Sequence, residues 1–354
     1  MLYRENGQFK TSYRADQQIF PVAQDRIAIY LLLAVAFVLV PLAASDYLLL
    51  SIGVPFLILT LAAIGLNLLV GYCGQISVGH AAFMSVGAYA AYNLVLRVPQ
   101  LNFLVVLVLA GIIAALAGML FGIPSLRIKG LYLAVATLAA QFFMDWLFAR
   151  VKWFTNYAGS GSVSTAAIDL FGWKIVTPVD KYLFLLAVLT VFTLIAKNLV
   201  RSHIGRAWMA MRDMDVAAEV IGIRPVYAKL TAFAVSSFYC GVAGALWGFV
   251  HLGSWEPLAF SITLSFNLLF MIIIGGMGSL LGSYFGALFI VALPILLNQV
   301  PAMLGAPIST AMASHLEVMI FGGLIIFFLI VEPHGLARLW AISKEKLRLW
   351  PFPH

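Results

Sequence analysis

Apolar and polar positions alternate along this chain in long blocks. Apolar runs near 27–44, 48–71, 76–96, 101–123, 130–150, 181–199, 229–251, 259–275, 280–300 and 315–332 are separated by short polar breaks. Several approach or exceed the roughly 20 apolar residues that cross the hydrocarbon core of a bilayer. The pattern predicts an all-α fold, a polytopic transmembrane helical bundle of about ten spans, or eight if two segments are re-entrant. The run 76–96 departs most from the pattern. Gln75, Ser77, Gly79, His80, Ser85 and Gly87 interrupt it, which predicts a broken or partly re-entrant helix. The first run, Ile27 to Ala44, is longer than the roughly 7–15 residues of a signal-peptide core and reads as an uncleaved first span.

Composition agrees with lipid as the main solvent. Of 354 residues, 63% are hydrophobic and 10% charged, against about 45–50% and about 25% in a soluble domain. Too few charges are present to cover a water-facing surface. The net charge of +7 raises the question of nucleic acid, but its placement argues against that partner: the charges sit in the breaks between apolar runs and form no basic face with interleaved aromatics. Cys73 and Cys240, the two cysteines, fall in or beside apolar runs and read as small packing residues.

The distribution of the 21 basic residues sets an orientation. Arg4, Lys10, Arg14, Arg26, Arg127, Lys129, Lys197, Arg201, Arg206, Arg212, Arg224, Lys229, Arg338, Lys344, Lys346 and Arg348 fall on one side of the alternating spans. Only Arg97, Arg150, Lys152, Lys174 and Lys181 fall on the other. Positive residues favour the cytoplasmic side, so both termini are expected there and the number of spans is even. The expected divisions are a cytoplasmic amino-terminal segment at 1–26, a transmembrane domain at 27–332 and a cytoplasmic tail at 333–354. Two loops are long enough to serve a purpose beyond connection, an outer one at about 151–180 and a cytoplasmic one at about 200–228.

In the cytoplasmic loop, Met209, Met211, Val216, Val220 and Ile221 alternate with Arg212, Asp213, Asp215 and Glu219 at helical spacing. Gly222 fits the helix end, and Pro225 prevents continuation. A short amphipathic helix with small residues at Ala217 and Ala218 can enter a partner's groove. It can equally be a connector on the membrane surface.

Inside the spans, polar residues are costly unless they face protein or water. Gln75, Ser77 and His80, with Gly79 and Ser85, stand either beside a solute path or in hydrogen bonds between helices. Asn67, Asn267 and Gln141 read as interhelical ties. Gln141 and Asp145 share a helix face, and Asp145 and Glu317 lie near membrane boundaries. Gly118 and Gly122, and Gly278, Gly282 and Gly286, repeat at four-residue spacing and read as helix-packing positions. No phosphate-binding Gly-x-x-x-x-Gly-Lys loop, catalytic constellation or metal-ligand cluster is present in the sequence, so an enzyme is not expected.

Five collinear stretches resemble the permeases of branched-chain amino acid ABC importers. The first runs from Gly65 to Phe83 through Asn67, Gly71, Gly74, Gln75, Ser77, Gly79 and His80. The second runs from Leu126 to Leu138 through Arg127, Lys129, Gly130, Tyr132 and Thr137. The third is the cytoplasmic loop, with Gly205, Arg206, Ala207, Asp213, Ala217, Ala218, Gly222, Ile223, Lys229 and Leu230. The fourth is Gly275, Gly276, Gly278 and Ser279 with Gly282 and Gly286, and the fifth is Pro333 to Leu336. The resemblance implies a coupling segment for ATPase subunits formed by Arg206, Asp213, Asp215, Ala217, Ala218, Glu219 and Gly222. Here the acid of the coupling motif stands out of its usual register. It also implies a bacterial inner-membrane location and several partners: a second, similar permease, two cytoplasmic ATPases and an extracytoplasmic solute-binding protein. No cofactor is implied for this chain, with ATP and Mg held by the ATPases. The implied solutes are branched-chain or related amino acids, with urea, short amides and aromatic acids as alternatives. The implied mechanism is alternating access.

Overall fold

The computed structural model describes residues 11–12, 23–126, 130–158, 161–165, 168–170, 172–303, 310–331 and 335–349. Arg4, Lys10, Arg14, Arg127, Lys129 and Pro333, named above, lie outside them. Eight described helices are long and apolar enough to cross a membrane. They are α1 (Asp25–Ala43), α2 (Asp46–Tyr72), α4 (Phe103–Gly122), α5 (here Leu131–Arg150), α6 (Pro178–Arg201), α9 (Pro225–Leu252), α10 (Pro257–Gly275, helical from Ile262) and α11 (Leu280 onward, to Met303). The other two apolar runs are helical as well: α3 (His80–Arg97) and α12 (Thr310–Val331). Between them lie two short helices, α7 (His203–Asp213) and α8 (Asp215–Val220), and the chain continues into α13 (Gly335–Leu349).

The core is formed where α2, α3, α4 and α9 cross. Bare backbone lets them approach. A Cβ on Gly87 would strike the Gly241 carbonyl, and one on Gly244 would strike that of Met84. Gly118 and Gly122 lie against Ser237 and Phe233 of α9, and Gly282 and Gly286 lie against the Gly275 and Met271 carbonyls of α10. With little hydrophobic force between helices in lipid, such close approach supplies the van der Waals contact that holds them. Gly278 does something different from its four-residue companions. It lies in the turn before α11 at φ +77, where its role is conformational. The peripheral α1 keeps its apolar side chains exposed, as expected for a lipid-facing helix.

The outer loop is not wholly irregular. Ile168–Leu170 and Trp173–Ile175 form an antiparallel hairpin with Gly172 at φ +91 in its turn. Val163–Ser164 pairs with Ser254–Trp255 beyond the end of α9. The Arg97 guanidinium stacks 3.7 Å above the Trp153 ring at this end of the bundle.

Candidate functional site

Backbone between α2 and α3 is not helical. Gly74, at φ +71, turns the chain out of α2 with its amide still bonded to the Val70 carbonyl at 3.1 Å, and residues 75–79 are not helical until His80 starts α3. Gly79 rests on the Thr137 carbonyl of α5, where any Cβ would collide. The third crossing is therefore a short non-helical stretch followed by a helix, and the stretch packs against α5 before the helix begins. Such backbone is tolerated at membrane depth only where protein or water satisfies its polar groups.

Here protein does so. The Val78 amide donates to Thr137 Oγ1 at 3.0 Å, and the Ala81 amide donates to Ser265 Oγ at 2.9 Å. The Ala81 amide is one that the first turn of a helix leaves without an intrahelical partner, and the Val78 amide precedes the helix altogether. His80 lies 2.8 Å from Ser77 Oγ through Nδ1 and 2.8 Å from Ser236 Oγ through Nε2. Hydroxyls donate or accept, so either neutral tautomer is satisfied. Ser265 Oγ donates in turn to Gln141 Oε1, while Gln141 Nε2 donates to the Phe260 carbonyl at 2.8 Å and to Asp145 Oδ1 at 2.9 Å. Ser77, His80, Thr137, Gln141, Ser236 and Ser265 are each at most 1% exposed. Together they form a buried polar layer, linked through the backbone of residues 77–81, that joins the non-helical segment to α5, α9 and α10.

A second polar junction lies toward the α7–α8 end. The Asn67 amide donates to the Ser279 carbonyl at 2.8 Å and to Ser283 Oγ at 3.0 Å, and its oxygen accepts from the Gly278 amide at 2.8 Å. Gly71 has no side chain to block this approach. Arg212, from the end of α7, donates to the Gly71 carbonyl at 2.9 Å and lies against Gly74 and Gly278. Its guanidinium also pairs with Asp213 at 2.9 Å. Trp208 is fully buried behind it, with Nε1 donating to Thr231 Oγ1 at 3.1 Å. The loop is thus pinned to the bundle.

The loop itself is two helices and not one. Met214 is extended (φ −154, ψ 96) and separates α7 from α8, so the amphipathic spacing read across it spans a break. Ala218 is buried, Ala217, Arg206, Asp213 and Glu219 are exposed, and Asp215 is half-buried. Gly222 ends the unit at φ +92, a conformation that favours glycine. Met214, Val216, Val220 and Ile221 are 69–81% exposed. Beside them a cleft of about 300 Å³ opens between α7 and the start of α9, lined by His203, Trp208, Ile221, Ile223 and Tyr227.

Of the residues expected near a solute path, Ser77, Gly79 and His80 belong to the buried layer. Gln75 is half-buried and bonds only weakly back to the Cys73 carbonyl at 3.4 Å, and Ser85 bonds within its own helix to Ala82. Thr137, from the second of the five stretches, completes the layer with Ser236 and Ser265, and these two serines carry no signal in sequence, because a single hydroxyl in an apolar run also bonds to its own helix. Arg212 likewise looked like one charge among several. The contacts of Gly335 with Gly276, of Thr137 with Val78, and of Asn67 and Arg212 with Gly278 unite all five sequence stretches that carry the family resemblance.

Residues 48–329 match the family described as branched-chain amino acid transport system / permease component. The high-affinity branched-chain amino acid transport system permease protein LivM of Escherichia coli is 30% identical over 308 residues, covering 79% of this chain and 68% of the relative. Its counterpart in Salmonella typhimurium is equally similar. A probable branched-chain amino acid transport permease protein LivM of Methanocaldococcus jannaschii is 23% identical over 319 residues, covering 78% of this chain and 89% of the relative. No solved structure matches the chain.

Proposed function

Because the chain belongs to the branched-chain amino acid transport system permease family, we propose that it is the membrane-spanning subunit of an ATP-driven importer, moving branched-chain or related aliphatic amino acids across the bacterial inner membrane. The observation that carries this reading is the α7–α8 unit. Its apolar side chains at Met214, Val216, Val220 and Ile221 point away from the bundle, while Trp208 and Arg212 anchor it within. Contiguous exposed apolar surface of this kind marks a partner site. In this reading both termini and α7–α8 face the cytoplasm, where two ATPase subunits supply the energy. A second permease completes the pathway, and an extracytoplasmic binding protein delivers solute.

The anchoring suggests how motion travels. Closure of the ATPases on ATP displaces α7–α8. The Arg212 hydrogen bond to Gly71 and its contact with Gly278 then load the end of α2 and the turn between α10 and α11 together. The buried layer around His80 adjoins them, through the segment that follows α2 and through α10. Solute passage requires its bonds to exchange partners, so Ser77, Gly79 and His80 act in this mechanism as a closed gate rather than an open lining. Alternating access of this type works by rocking rigid parts about a site near the midplane.

The test is copurification from native membranes. A tagged chain should bring down ATPase subunits, and Val220→Asp with Ile221→Asp should lose them while still inserting. Absence of ATPases from the unaltered complex, or normal uptake by the double variant, would overturn the assignment.

A further inference from the structure

The outer loop does more than connect α5 to α6. Strand alternation turns Ile168, Leu170 and Ile175 inward and leaves Asp169, Trp173 and Lys174 exposed. Ile168 and Ile175 are cross-strand partners, so their side chains stand together on one face, 6% and 3% exposed. Two clasps fix that face over the bundle. On one side Thr165 reaches the end of α9, with its amide 2.9 Å and its Oγ1 3.1 Å from the Gly253 carbonyl. On the other, at the start of α6, Trp173 Nε1 donates to Asp180 Oδ1 at 3.3 Å and Thr177 Oγ1 donates to Asp180 Oδ2 at 2.6 Å.

Between the hairpin, α6 and the end of α9 lies a cavity of about 170 Å³, lined by Ile168, Ile175, Val176, Phe249 and Val250 together with the cation Lys181. An apolar cavity of roughly 150 Å³ admits benzene, so this one has room for a branched aliphatic side chain with its own α-carbon, and not for a peptide. Lys181 has no carboxylate partner among the described residues. Asp180 is engaged by Trp173 and Thr177, Asp169 stands opposite Lys174 and accepts from the Gly172 amide, and Glu256 is exposed beyond Trp255. His251, within electrostatic reach of Lys181, adds no negative charge. Phe249 packs against Trp255 with ring centroids 5.8 Å apart, and Trp255 against Tyr89 at 6.3 Å. Trp255 Nε1, Tyr89 Oη and, one turn along α3, Asn93 Oδ1 are buried with no hydrogen-bond partner among the described residues. Open polar groups in the aromatic wall beside the cavity suit a solute with polar ends better than a lipid tail.

We infer that this cavity is an outward-facing subsite for a single aliphatic amino acid, with the α-carboxylate at Lys181 and the side chain against Ile168, Ile175 and Val250. A cation set in an apolar cavity selects an anion with an apolar body, because the few polar groups of such a site fix orientation while its walls take up the rest. No carboxylate lines the cavity, so the α-ammonium goes unread. Phe249 and Val250 belong to α9, the helix that also carries Ser236 of the buried layer, so a solute held here already rests on an element of the closed gate. The solute class and the outward orientation rest on the function proposed above.

Equilibrium binding of radiolabelled L-leucine to the intact complex in nanodiscs, with no binding protein added, tests it. Isocaproate, which lacks the ammonium, should displace L-leucine, and isoamylamine, which lacks the carboxylate, should not. Lys181→Gln should weaken L-leucine binding about tenfold, the loss of one charge-assisted bond. Val176→Trp adds bulk to the lining at an exposed position and should weaken it at least as much. The competition series on the unaltered complex keeps the inference testable if a variant does not assemble. No L-leucine binding by the unaltered complex, equal competition by the amine, or L-leucine binding that ignores both variants would overturn it. Copurification of ATPases does not depend on this cavity. A complex that assembles and fails these tests therefore sinks this inference alone, whereas a chain that binds L-leucine here without ATPases sinks only the importer reading.

Discussion

The buried layer around His80 and the α7–α8 unit handle polarity in opposite ways. In the layer, polar groups lie where lipid would surround them, and each finds a partner on another element: Val78 on Thr137, His80 on Ser236, Ala81 on Ser265, Ser265 on Gln141. In α7–α8, apolar groups lie where water would surround them, and Val220 and Ile221 have no cover from the rest of the described residues. The first region is complete within the described residues. The second is complete only with something else against it. A satisfied polar network resists change, because breaking one bond strands a buried partner. An uncovered apolar surface costs the fold little to alter and costs a partner much.

That contrast orders the expected effects of substitution, from largest to smallest in stability. Gly244→Val places a side chain on the Met84 carbonyl, at a contact of backbone with backbone that no rotamer relieves. Its expected cost is about 3 kcal/mol or more, seen as loss of monodisperse protein after extraction. Gln141→Leu removes the partners of the Phe260 carbonyl and the Ser265 hydroxyl together. The expected loss is about 2–4 kcal/mol, read as a lower midpoint for unfolding in detergent. A change no larger than at a surface site would mean that the layer is not a closed network. Arg212→Ala gives up the bond to Gly71 at a half-exposed position. It should cost about 1 kcal/mol and impair uptake more than stability. Val220→Asp should alter stability by less than about 0.5 kcal/mol and uptake severely. If Val220→Asp destabilised the isolated chain as much as Gln141→Leu, the two regions would not differ in kind.

Legibility followed the same division. The interruption at 76–96 was readable because Gln75, Ser77, Gly79 and His80 fall together in an apolar run, and the structure begins α3 only at His80. Gln141 was readable as an interhelical tie, and it is one, to the Phe260 carbonyl. Its partner Ser265 was not: it is a single hydroxyl whose role depends on which helix faces it. The α7–α8 break was equally silent, since Met214 is a good helix former and yet is extended between the two helices. Gly278 was assigned by its spacing to helix packing, yet it turns the chain ahead of α11 and donates its amide to Asn67. Four-residue spacing alone does not say where a helix starts.

What the sequence determined by itself was the solvent and the broad plan: long apolar runs must be helices in lipid because no other open structure satisfies its own backbone there. The family, too, was legible in five separate stretches. Only the tertiary structure decided that those stretches meet, that the polar residues of the broken crossing are sealed by α5, α9 and α10, and that the loop's apolar side chains face outward. Hydrogen bonds between residues as far apart in the chain as Asn67 and Ser283 depend on how helices cross, and crossing is set by which bare backbones can touch.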